Sequence, residues 1–256
     1  MIPQFFVKSS GEQINFSKFD YVSGATLVYD WGNPVSYNPG QGAGGVTSNV
    51  YNSGAPQGQF IAAGAPTTMW SNAYTGSIQF NSTNKPYVEY NGTLPTGAIS
   101  IVSIYKPDEL ASGSLLSLTG SQNGINLVVA GATRVVTPTI WYGAGGNTQA
   151  TLTCAITMSN SANNGWNMVT FASNGLDSHT MYLDSGSIQS TDTNTYDRGL
   201  FSPVARNIRI GMNNINSGNN QTLNGVMIAT LIYPFKLSQK QIRQLWYVFR
   251  QRMTVS

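Results

Sequence analysis

Side chains suited to proton transfer or metal binding are scarce in this chain: ten carboxylates, one histidine and one cysteine among 256 residues. Cleaving a glycosidic bond requires two carboxylates flanking one site, acting as acid and as base or nucleophile. The acids are Glu12, Asp20, Asp30, Glu89, Asp108, Glu109, Asp177, Asp184, Asp192 and Asp197, and no two of them alternate along one strand. Asp108 and Glu109 are adjacent, so on a strand they would face opposite sides. Acids from distant strands could still converge, so hydrolysis stands as the most distant expectation. A Ser-His-Asp triad or a His-based metal site would rest on His179 alone, with no motif around it. The plainer reading of His179 is a strand residue beside a hairpin. Cys154 stands alone, which excludes an internal disulfide and a cysteine-based metal site and suits a small buried side chain. Asp184, Asp192 and Asp197 could offer calcium oxygens together with Asn side chains, but no dense run of ligands accompanies them. No metal and no cofactor are expected.

Holding a sugar asks for less: flat aromatic surface for the ring faces and amides for the hydroxyls. Trp141 and Tyr142 beside the glycine-rich stretch 143–147, Tyr196, and Asn213, Asn214 and Asn216 are the candidates. The competing reading is structural, because aromatics are common in any sandwich and Asn-rich loops are good turn formers. Net charge is +3, and after Asp197 the chain carries Arg198, Arg206, Arg209, Lys236, Lys240, Arg243, Arg250 and Arg252 with no acid following. Lys240, Arg243, Arg250 and Arg252 are expected on the wet face of a helix, as a docking surface for an acidic partner or simply as a solvated face. No stacking motif accompanies them, so nucleic-acid binding is not expected.

The elements that would position these residues are short and numerous. Charged residues make up 9% and hydrophobic ones 41%, in a chain rich in Gly, Asn, Ser and Thr. Such a composition suits many short strands joined by tight turns, with enough apolar surface for a core. Strands are predicted over 25–31, 77–80, 87–90, 98–105, 114–118, 125–130, 134–141, 150–158, 166–172 and 179–183, then near Ile188 and through Ile208, Ile210 and Met212. Turn signals separate them, Asn91-Gly92 and Asp184-Ser185-Gly186 among them. Run 226–233 holds almost no polar residue, so both its faces are expected to be buried in the middle of a sandwich. Pro234 ends it. Leu237-Ser238-Gln239-Lys240-Gln241-Ile242 then reads as a capping box, with Ser238 as N-cap, Gln241 three residues on and Leu237 stapled to Ile242. A helix should start at about Gln239, with Ile242, Leu245, Trp246, Phe249 and Met253 as its inward stripe. In segment 32–45 Pro and Gly forbid regular structure, and Trp31, Tyr37 and Tyr51 argue that it packs on the body rather than serving as a linker. Residues 1–8 lack a basic region followed by a long apolar one, and no run reaches membrane-spanning length, so neither a signal peptide nor membrane insertion is expected.

The order of these features resembles the second half of a laminin-G-like, concanavalin A-like domain. The motifs are Trp166-Asn-Met-Val-Thr, the hairpin Met181-Tyr182-Leu183-Asp184-Ser185-Gly186, Ile208-Arg-Ile-Gly211, Asn224-Gly225 with its hydrophobic strand, and Leu237-Ser238 before Ile242 and Leu245. Upstream, Gly76 to Phe80 and 99–105 are similar to early strands of that family, so the likeness covers about 73–249. One residue is inserted before Gly186, and Met227 and Ala229 stand where acidic residues often occur, which weakens any carried-over metal contact. The resemblance implies an all-β jelly-roll sandwich of two antiparallel sheets with one short C-terminal amphipathic helix. Residues 1–72 would form a strand and a Pro/Gly-rich leader packed on a jelly roll at 73–256, together one compact domain. The leader, from Trp31-Gly-Asn-Pro-Val-Ser-Tyr37 to Gly42, resembles one that precedes such domains in structural proteins of tailed phages and large viruses. It departs from that pattern where an Asp-Ala pair and a later Trp are usual. The first functional expectation is therefore a non-enzymatic virion structural or surface protein, contacting other virion proteins or a host-surface glycan, with homo-oligomers open. The alternatives are a lectin-like carbohydrate-binding module and, more distantly, a divergent glycan hydrolase.

Overall fold

The computed structural model describes residues 6–7, 13–14, 20–37, 46–47, 50, 57–61, 70–71, 76–81, 85–108, 112–118, 124–142, 148–159, 165–197, 206–213 and 221–253. These residues form an all-β body of two antiparallel sheets and one C-terminal helix. The first sheet runs Ile188–Asp192, His179–Leu183, Asn167–Ser173, Ile99–Pro107, Gly225–Tyr233, Ser77–Phe80, Trp70–Ser71, and Leu27–Asp30 also pairs with Gly225–Tyr233. The second runs Thr148–Thr151, Val135–Tyr142, Ile125–Ala130, Gly113–Leu118, Arg206–Ile210, Tyr87–Gly92, Gly58–Ile61, Val46–Thr47, with Ile156–Thr157 on Val135–Tyr142.

The central strands of the first sheet are apolar on both faces because each face has its own cover. Leu27, Tyr29, Ile101, Tyr105, Val169 and Phe171 belong to the core between the sheets. Val28, Val102, Ile104, Met168 and Ala172, one residue out of phase, belong to a second core shared with Ile242, Leu245, Trp246 and Phe249 of the helix. A period-two strand between two apolar layers has no polar side to show. In Gly225–Tyr233 the register against Ile99–Pro107 shifts between Met227 and Ala229. Consecutive residues Ile228 and Ala229 thus both serve the helix side, followed by Leu231 and Tyr233.

The helix spans Gln239–Met253. Its cap follows the predicted box: the Ser238 backbone N–H donates to Gln241 Oε1 at 2.9 Å, and the Gln241 N–H to Ser238 Oγ at 3.4 Å. Gln239 Nε2 donates to the Gly186 carbonyl at 2.8 Å, seating the first turn on the Asp184 hairpin. Lys240, Arg243 and Arg250 are exposed, but Arg252 corrects the expectation of a wet face. It is 2% exposed, and its Nη1 donates to both carboxylate oxygens of Asp30 at 2.6 Å while Nη2 reaches the Gly76 carbonyl. Asp30 also accepts from the Tyr21 hydroxyl and the Gly32 N–H, so its two oxygens are fully engaged. Trp31 and Tyr37 lie in the inter-sheet core, while 38–45 and Tyr51 fall outside the described residues.

Two other expectations change. Asn91-Gly92 is not a turn: both residues stay in the strand, opposite Asn207 and Arg206. Run 150–158 is not one strand but two short ones, Thr148–Thr151 and Ile156–Thr157, because Thr153 turns aside to donate twice to Asp192.

Candidate functional site

Strands Tyr87–Gly92 and Arg206–Ile210 lie side by side in the second sheet, with Tyr90 opposite Ile208 and Glu89 opposite Arg209. Val88, Tyr90, Ile208 and Ile210 belong to the inter-sheet core. Alternation therefore sends Tyr87, Glu89, Asn91, Asn207 and Arg209 to the outer face, the one the helix does not cover. There the five side chains make a continuous ladder. Asn91 Nδ2 donates to Asn207 Oδ1 at 2.9 Å, and Asn207 Nδ2 to Glu89 Oε1 at 3.2 Å. Arg209 Nε donates to Glu89 Oε2 at 2.5 Å, and its guanidinium lies 4.8 Å from the centroid of the Tyr87 ring. Gln59, opposite Glu89 on the next strand, is exposed.

The side chains of Arg209 and Glu89 are 17% and 18% exposed, so the pair is partly desolvated yet reachable. Burial raises the Tyr87 phenol above its usual range, Arg209 opposes that and Glu89 adds to it, so the ring carries a neutral hydroxyl. The internal bonds hold each rotamer and leave capacity over: spare lone pairs on Glu89, a second amide N–H on each asparagine, and further guanidinium N–H groups on Arg209. Such an array can bind hydroxyls in both directions. Glu89 is the single carboxylate among the ladder's five side chains, which by themselves do not make the acid pair that glycoside cleavage uses.

One border of the ladder is a ribbon of Met212–Asn213 and Gln221–Thr222. The Ser117 hydroxyl donates to the Met212 carbonyl, and Arg209 Nη1 lies 3.8 Å from Met212 Sδ. The chain leaves the ladder strand for this ribbon at Gly211, whose φ of 90° and close approach to the Phe80 ring both require glycine. Asn213 thus sits on the element flanking Arg209. Asn214 and Asn216 lie outside the described residues, as does 143–147. Trp141 and Tyr142 end a strand of the same sheet, opposite Gln149 and Thr148, with Ile125–Ala130 and Gly113–Leu118 between them and the ladder. Tyr196 is elsewhere, its ring 5.5 Å from that of His179 at the far end of the first sheet. Among the described residues, Trp141 and Tyr142, Asn213, and Tyr196 thus lie on three separate elements. The ladder itself was missed because its rungs join residues more than a hundred positions apart; the available signal was polar alternation in Tyr87-Val88-Glu89-Tyr90-Asn91 and Asn207-Ile208-Arg209-Ile210.

Ser173, His179 and Asp192 also come together, but as a structural knot. His179 Nδ1 is 2.8 Å from Ser173 Oγ and Nε2 is 3.2 Å from the Leu176 carbonyl, with both side chains fully buried. Asp192 spends its oxygens on Thr153 and Asn194 rather than on the imidazole. Burial lowers the His179 pKa and pushes the nearby Cys154 thiol up to about 12. A buried serine and an imidazole without an orienting acid do not make a nucleophile. Among the described residues no group of three or more His, Cys, Asp or Glu could hold a metal ion, and no helix is long and apolar enough to cross a membrane.

No protein-family model matches the chain, and no curated protein matches it in sequence. Similarity appears in solved structures. The binding domain of botulinum neurotoxin DC in complex with rat synaptotagmin II matches at TM-score 0.61 and 12% identity, over 88% of this chain and 52% of that one. The serotype D/C VPI 5993 binding domain matches at 0.62 and 13%, with the same coverage. A structure described under the dependence of botulinum neurotoxin type C cell entry on two ganglioside molecules matches at 0.61 and 12%, over 88% and 51%. This chain spans about half the length of the structures it matches, and at such identity the likeness is one of fold.

Proposed function

We propose that this chain is a non-enzymatic binding module that contacts carbohydrate through the Tyr87, Glu89, Asn91, Asn207, Arg209 ladder. Its setting would be a virion, where it is a capsid- or tail-associated protein turned towards a receptor. The carrying observation is the ladder: five side chains held by their own bonds on a face without helix cover, with donors and acceptors to spare. Similarly folded toxin domains support a binding role, one of them solved in complex with SialylT and another described under a cell entry that depends on two ganglioside molecules. The likeness of 31–42 to a viral leader supports the setting. Lys240, Arg243 and Arg250, exposed on a helix that contains no acid, would face other virion proteins, and Trp141, Tyr142 and Asn213 remain candidates for extending the sugar contact. Tyr196 and Arg252 are left out of the site, being engaged with His179 and Asp30.

The test is a glycan array probed with the whole chain and with Asn207→Ala, Arg209→Ala, Trp141→Ala and Asn213→Ala, each checked for native circular dichroism. Specific binding that disappears in Asn207→Ala and Arg209→Ala is the expected result. A folded chain that binds nothing on a broad array would remove the carbohydrate reading and leave protein docking through the basic helix.

A further inference from the structure

We infer, on the basis of the carbohydrate reading above, that the ladder selects an uncharged saccharide presenting adjacent hydroxyls and discriminates against sialylated or sulfated glycans. Its charges carry the argument. A sugar carboxylate or sulfate is held most strongly by a cation that is not already balanced. Arg209 is the one cation among the described side chains of the ladder, and Glu89 holds its Nε at 2.5 Å. Tyr87, Asn91, Asn207 and Gln59 are neutral. An anionic sugar here would set two negative groups against one guanidinium in a partly desolvated site, and like charges so placed repel.

Hydroxyls meet no such conflict. Glu89 accepts from one while an amide or guanidinium N–H donates to its neighbour, the two-way pattern that a pair of adjacent hydroxyls completes. The rung Arg209 to Glu89 and the rung Asn207 to Asn91 are two residues apart along the strands, roughly 7 Å. One sugar ring with its exocyclic groups bridges that distance. Tyr87, at the ladder's end, adds an apolar ring edge against the sugar's C–H groups.

Matched pairs distinguish this inference from the reading beneath it. Lactose, cellobiose and chitobiose would be compared with the same scaffolds bearing a terminal sialic acid or a sulfate, against the whole chain and against Glu89→Gln, Asn207→Ala and Arg209→Ala. Expected is a neutral member bound about tenfold or more tighter than its anionic counterpart. Glu89→Gln should then narrow or reverse that ratio, because it frees the guanidinium. Preference for the anionic member, still lost in Asn207→Ala, would overturn the inference and leave the carbohydrate reading standing. Neutral binding unchanged in all three variants would place the sugar elsewhere and overturn the ladder as its site. No glycan binding by a folded chain would overturn both.

Discussion

His179 shows how a residue type associated with catalysis can be wholly structural, with a measurable signature. Both ring nitrogens are satisfied inside the protein, and burial, its largest influence, lowers the pKa from the ordinary 6.5. Asp192 and Lys236 face the ring from the adjoining elements, the first raising its pKa and the second lowering it, without reversing the direction. As pH falls through about 6.5 the unfolded chain binds a proton that native His179 refuses, so stability drops until the native ring also protonates. Asp192 contributes in a separate window: burial opposes its charge, but donors from Asn194 and Thr153 outweigh it and lower its pKa. The stability this provides is present above the ordinary carboxylate value and lost in stronger acid. Urea midpoints between pH 8 and 5 should therefore decline for the natural chain and stay flatter for His179→Gln. Equal slopes would contradict a depressed histidine. At this scale the sequence pointed to a strand residue beside a hairpin, since a lone histidine without a motif is a weak candidate for chemistry, and the ring is buried on such a strand. The ladder could not be read in the same way: Glu89 looked like one more isolated acid until strand pairing set Arg209 beside it.

Elements whose signals are local were legible, and those defined by distant partners were not. The cap at Ser238 is a contact between residues three apart, so the sequence contains both halves of it. Arg252 is the opposite case. Helical spacing places it beside Arg250 among charged residues that face water, yet its partner Asp30 lies 222 positions earlier. The same distance effect hid the pairing of Asn91 with Asn207, which turned an apparent Asn-Gly turn into two rungs of strand. The two helix contacts differ in their expected cost. Removing the exposed cap with Ser238→Ala should cost about 1 kcal/mol. Arg252→Ala leaves the buried Asp30 carboxylate without its cation and should cost about 3–5 kcal/mol, whereas Asp30→Asn combined with Arg252→Met should recover part of the loss. Urea denaturation of the four proteins decides it; a cost for Arg252→Ala no larger than that for the cap would mean that the ion pair does not hold the helix.

On the scale of the whole molecule, the fold is closed by its most distant contacts. Leu27–Asp30 pairs with Gly225–Tyr233, so one central strand of the first sheet joins segments from opposite ends of the described chain. That same strand serves both apolar layers, with Met227 and Ile232 in the inter-sheet core and Ile228, Leu231 and Tyr233 under the helix. Neither layer can lose its packing without exposing the other face of a shared strand, and the Asp30 to Arg252 pair ties the helix to the same sheet. Such coupling favours a single cooperative transition despite the two layers. Trp31 reports on the inter-sheet core, and Trp166 and Trp246 on the helix side. Unfolding followed by tryptophan fluorescence and by far-ultraviolet circular dichroism should therefore give coincident midpoints, in the natural chain and in Trp31→Phe and Trp246→Phe alike. A separate early fluorescence change that persists in Trp31→Phe and vanishes in Trp246→Phe would show the helix layer melting alone, and the strand Gly225–Tyr233 would then not be the element that makes the molecule one unit.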